Sequence, residues 1–61
     1  MIKIRINKNN VTTSYYIEGK IVEIYSNDKM QSYYNVENEV KGLKEILNKN
    51  IGYTIEMLEI N

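Results

Sequence analysis

The chain has 61 residues, with eight basic and eight acidic side chains and neither His nor Cys. That excludes disulfides and the usual transition-metal sites, and it removes the commonest general base near neutral pH. The charge balance and a pI near 6.2 argue against a dominant hold on phosphate backbones, because basic nucleic-acid domains tend toward a pI above ~9.

Ile2, Ile4 and Ile6 alternate with Lys3 and Arg5, the period of a half-buried strand. This start is unlike a signal peptide, and no apolar run approaches the ~18 residues of a membrane span. Asn7-Lys8-Asn9-Asn10 is a turn cluster, expected as a four-residue loop. Val11, Thr13, Tyr15 and Ile17 then alternate with Thr12, Ser14, Tyr16 and Glu18. Glu18-Gly19 predicts a two-residue turn. A third strand follows over 20–26, a turn at Asn27-Asp28, and a short fourth strand from Met30 to Tyr34.

The period then changes. Val36, Val40, Leu43 and Leu47 recur at spacings of four, three and four, the stripe of an amphipathic helix. Asn35 is the expected N-cap. Glu37 and Glu39 suit the positive end of the helix dipole, and Lys49 suits the negative end. Two heptads are too few for a coiled coil, so the stripe reads as core packing. Gly42 sits on the flank of that stripe, where it could form a shallow notch for another chain or be an ordinary surface glycine. Asn50 and Gly52 end the helix. Tyr53 to Ile60 reads as a last strand, with a phase change near Met57-Leu58 that suggests a bulge. Its neighbour, the first or the third strand, is left open by the sequence.

The expected fold is one small α+β domain over residues 1–61, ordered β-β-β-(β)-α-β. An antiparallel sheet of four or five strands carries one helix on one face.

Turn parity then predicts which residues share a face. Loops of even length put Ile2, Ile4, Ile6, Val22 and Ile24 on one apolar side, under the helix; an odd loop would scatter that pattern. The other face should carry a row of Met1, Tyr16 and Ile21, a row of Arg5, Thr12 and Tyr25, and a polar row of Lys3, Ser14 and Glu23. A two-residue turn at Asn27-Asp28 adds Tyr34 to the first row and Met30 to the second. With the helix on the opposite side, Met1, Arg5, Tyr16, Ile21, Tyr25, Met30 and Tyr34 form the candidate partner-binding face. An exposed apolar patch of this kind marks interaction sites, and Tyr and Met are enriched at interfaces.

The chemistry left to the chain is thin. The carboxylates have no calcium-loop spacing, and Gly19, Gly42 and Gly52 are too scattered for a phosphate loop. No catalytic residue, cofactor or metal is expected. Ile, Asn, Lys and Tyr make up 32 of the 61 residues, and Ala is absent. That codon signature points to an AT-rich genome, a low-GC bacterium or one of its phages. The expected function is a non-enzymatic protein-binding module, cytoplasmic, of the accessory kind that phages and mobile elements carry to block a host or defence protein; anti-CRISPR proteins are the analogy in class. Two alternatives are single-stranded nucleic-acid binding by tyrosine stacking and a structural homo-oligomer, which small scaffolds without disulfides or metals often adopt.

Overall fold

The computed structural model describes residues 1–59. Five strands and one helix follow one another: β1 (Ile2–Lys8), β2 (Val11–Glu18), β3 (Ile21–Ser26), β4 (Lys29–Asn35), α1 (Glu39–Lys49) and β5 (Thr54–Glu59). The strands form one antiparallel sheet in the order β4-β3-β2-β1-β5. The α+β class and the element order match the expectation. The last strand returns beside β1, which leaves β4 and β5 at the two edges. Ile60, assigned to that strand from sequence, lies outside the described residues.

Turn chemistry sets the register, and it differs from expectation in detail. The first hairpin closes on Asn9-Asn10 alone, with φ of 47° and 70°. Asn tolerates left-handed backbone, and positive φ at both central residues is what a tight type I′ hairpin requires. Asn7 and Lys8 are therefore free to keep pairing, opposite Thr12 and Val11. The second turn is Gly19-Lys20, not Glu18-Gly19. Gly19 takes φ +60° as the first central residue, so Glu18 stays extended and pairs with Ile21. Each correction moves the register by two residues. Parity survives, so every side chain of β1, β2 and β3 keeps its expected face, although the rows are re-dealt.

The third hairpin behaves differently. Asn27-Asp28 is a two-residue turn, with φ of 48° and 67°, and Tyr25 pairs with Met30 as expected. Ile24 then pairs with Ser32. Gln31 is an extra residue, a β-bulge, and beyond it every side chain of β4 changes face. Tyr34 comes opposite Val22 and Tyr33 opposite Glu23. The bulge expected at Met57-Leu58 is absent, since β5 holds one register along β1. Those two residues lie on opposite faces of an edge strand, and both stay partly exposed for that reason.

The core lies between the sheet and α1. Ile4, Ile6, Tyr15, Ile17 and Val22 from the sheet meet Ile46 from the helix, and Ile2, Ile24, Tyr34, Val36, Leu43 and Ile55 surround them. The helix starts later than the spacing suggests. Asn38, not Asn35, is its N-cap, and the Asn38 side chain accepts from the Lys41 backbone N–H at 3.0 Å. Glu37 pairs with Lys41 one turn on. With 100° per residue from this start, Gly42 and Ile46 face the sheet, and Val40 turns outward with 61% exposure. Val36 packs inward from the connection. Gly42 is therefore no notch for another chain. A Cβ there would stand 3.3 Å from Val36 Cγ2 and 3.4 Å from Val22 Cγ2, so its missing side chain lets the helix seat closely on the sheet. Asn50 closes the helix from a buried position, its Nδ2 donating to the Ile46 carbonyl at 2.7 Å.

Candidate functional site

The face of the sheet away from α1 is built from the alternate residues of the same strands. Its central row reads Leu58, Lys3, Tyr16, Glu23 and Tyr33 from β5 to β4. The next row reads Glu56, Arg5, Ser14, Tyr25 and Met30. The expected grouping of Arg5 with Thr12 and Tyr25, and of Lys3 with Ser14 and Glu23, is corrected to this arrangement by the shorter first two turns.

Six of the seven sequence-predicted site residues stand on this outer face. Met1, Ile21 and Met30 are exposed, and Arg5, Tyr16 and Tyr25 are half-buried. Tyr34 is the exception. The bulge at Gln31 carries it to the inner face, against the core. Its hydroxyl is buried without a hydrogen-bond partner, and the Lys49 ammonium lies 5.4 Å from its ring centroid. Burial pushes the Tyr34 hydroxyl above the usual tyrosine range, with Glu45 and Tyr15 adding to the effect. Its place outside is taken by Tyr33, 66% exposed. Sequence reading misses Tyr33 because a bulge in a short edge strand leaves no periodic trace.

The outer face is organised around its two half-buried tyrosines. Tyr16 and Tyr25 meet edge to face, with centroids 5.0 Å apart and planes at 70°, the geometry aromatic quadrupoles favour. The Lys3 ammonium sits 5.2 Å from the Tyr16 centroid, within cation–π range. Arg5 reaches sideways to Glu56 at 3.4 Å. Ser14, on the same face, is only 5% exposed, so neighbouring side chains roof it over. The centre of the face is thus held by its own contacts, and Met1, Ile21, Met30, Tyr33 and Leu58 form an apolar rim around it.

Concavities on the molecule are shallow. One depression of about 150 Å³ is lined by Met1, Tyr16, Glu18, Ile21 and Glu23, an apolar floor edged by two carboxylates. A wider and more polar one lies between Arg5, Asn7, Thr12, Asn27, Asp28 and Glu56. Among the described residues, no three acidic side chains gather into a metal-ligating group, and no helix is long and apolar enough to cross a membrane.

No protein-family model, curated protein or solved structure matches this chain. The functional reading therefore stands on the geometry of the outer face.

Proposed function

We propose that this chain is a non-enzymatic protein-binding module that grips its partner with the outer face of the sheet. The observation that carries this reading is the pairing of an edge-to-face Tyr16–Tyr25 centre with an exposed rim of Met1, Ile21, Met30, Tyr33 and Leu58. Aromatic and Met side chains offer contact area at low entropic cost, and a central aromatic anchor inside a less critical ring is how interfaces concentrate their energy. The AT-rich composition fits an accessory protein of a phage or mobile element, working in a bacterial cytoplasm by occupying a surface of a host or defence protein.

Protein is favoured over single-stranded nucleic acid by two details of the same face. Tyr16 and Tyr25 contact each other at 70° instead of offering parallel platforms for successive bases. Of the two cations at the centre, Arg5 is paired with Glu56 and Lys3 lies over Tyr16, and Glu23 shares their surface.

Affinity capture from a low-GC bacterial lysate, read by mass spectrometry, tests the proposal. The wild-type chain is compared with Tyr16→Ser combined with Ile21→Ser, each first checked for unchanged secondary structure by circular dichroism. A protein retained by the wild type and lost by the variant is the expected result. Equal retention by both would overturn the reading. Retention that disappears on nuclease treatment would transfer the function to nucleic acid.

A further inference from the structure

We infer that the outer face docks a second copy of this chain, related by a two-fold axis that runs parallel to β2 over Tyr16 and Ser14. This rests on the outer face being a protein-binding surface, and it names an occupant.

The outer face is complementary in charge to itself. Across the central row, Leu58 and Lys3 stand on one side of Tyr16, and Glu23 and Tyr33 on the other. The row is symmetric in apolar character and antisymmetric in charge. A two-fold axis along β2 lays β1 of one copy over β3 of the other. Lys3 then faces the second copy's Glu23, twice over, Tyr16 meets its own counterpart on the axis, and Leu58 meets Tyr33. In the next row, the Arg5 guanidinium comes over the second copy's Tyr25, a cation–π arrangement. The other in-plane axis, perpendicular to the strands, lays β1 on β1 and sets Lys3 and Arg5 against the same two cations. Charge thus favours the axis along the strands over the axis across them. The selected packing is the aligned sheet-on-sheet mode, with sheets ~10 Å apart.

Size agrees with a modest dimer. Five strands at ~4.8 Å spacing and about six residues at ~3.3 Å give a face of roughly 500 Å² per copy before side-chain relief is counted. Two such faces reach the ~1,000 Å² that separates specific interfaces from incidental ones. The association should therefore be reversible and concentration-dependent. Two features oppose it: Glu18, near the end of β2 and on the same face, meets its own counterpart at the rim, and Glu56 comes over the second copy's Met30.

Sedimentation velocity on the full chain, from about 10 μM to 1 mM, reads the equilibrium in the range expected for an interface at the low end of the size scale. The wild type should shift from monomer to dimer across it. Lys3→Glu alone and Glu23→Lys alone should each weaken the dimer about tenfold or more, since each replaces two opposite-charge pairs by two like-charge pairs. An equimolar mixture of the two variants should recover dimer. In the mixed pair the carboxylate introduced by Lys3→Glu faces the ammonium introduced by Glu23→Lys, and the unaltered Glu23 of the first variant faces the unaltered Lys3 of the second. Glu18→Gln should tighten association about two- to fivefold by removing the rim repulsion.

A wild type that stays monomeric at 1 mM overturns the inference, as does a mixture no more dimeric than its components. If the wild type stays monomeric while the Tyr16→Ser, Ile21→Ser variant still loses a captured protein, the inference fails and the binding-module reading stands. If the dimer follows the charge pattern while capture ignores the outer face, the inference stands and the foreign-partner reading fails.

Discussion

The two faces of this sheet are made from alternate residues of the same strands, yet they are governed by different forces. The inner face presents Ile4, Ile6, Tyr15, Ile17 and Val22 to α1 and is buried. Its worth lies in apolar area removed from water, at roughly 25 cal/mol per Å², and in close packing. The outer face presents Lys3, Arg5, Tyr16, Glu23 and Tyr25, held by an aromatic pair, a cation–π contact and one exposed ion pair. Contacts of that kind contribute about 0.2–1.5 kcal/mol each. The difference teaches how so small a chain divides its surface: the covered face supplies the fold, and the uncovered face carries the proposed partner-binding surface.

Substitutions should divide along the same line. The largest effect is expected inside. Ile17→Ala removes a fully buried side chain facing Val22 and should cost about 2–5 kcal/mol in urea denaturation. Gly42→Val drives methyl groups into Val22 and Val36 and should cost about 1–3 kcal/mol by overpacking. On an exposed helix surface, replacing Gly would help formation instead, so a stabilised Gly42→Val variant would mean that the helix does not seat on the sheet at that point.

Tyr16→Ser tests the outer face. Loss of the edge-to-face contact with Tyr25 should cost about 0.5–1.5 kcal/mol beyond the area lost, with the strand content unchanged by circular dichroism. Tyr34→Phe should be neutral or stabilising by up to about 1 kcal/mol, because the hydroxyl it removes is buried without a partner.

The pH dependence of that residue follows from its raised pKa. The folded state keeps the hydroxyl proton that the unfolded chain releases near pH ~10. Its contribution is therefore fully present below about pH 10 and is lost as pH rises through the folded-state value. Tyr34→Phe should flatten the alkaline decline in stability. The smallest effect belongs to Arg5 and Glu56. A double-mutant cycle on this exposed pair should give about 0.2–1 kcal/mol, falling with added salt.

The candidate site is legible in the sequence to the extent that parity governs it. Tyr16, Ile21 and Tyr25 can be assigned to the outer face without coordinates, because a register error of two residues leaves the face unchanged. Tyr34 and Tyr33 cannot. A single extra residue at Gln31 exchanges them, and β4 has no apolar alternation strong enough to betray it. Val40 escapes the sequence for a related reason: the stripe containing it counts Val36 as helical, whereas the Asn38 cap starts the helix afterwards.

Local patterning by itself determined the α+β class, the order of elements and the aliphatic face, since alternation, turn residues and helical periodicity are short-range properties. Only the tertiary structure decided that β5 closes on β1, that Gly42 is a point of close approach between helix and sheet, and that Tyr34 is buried while Tyr33 is exposed. Those outcomes depend on which distant surfaces meet and on where one strand takes up an extra residue, and neither is written into the spacing of neighbouring side chains.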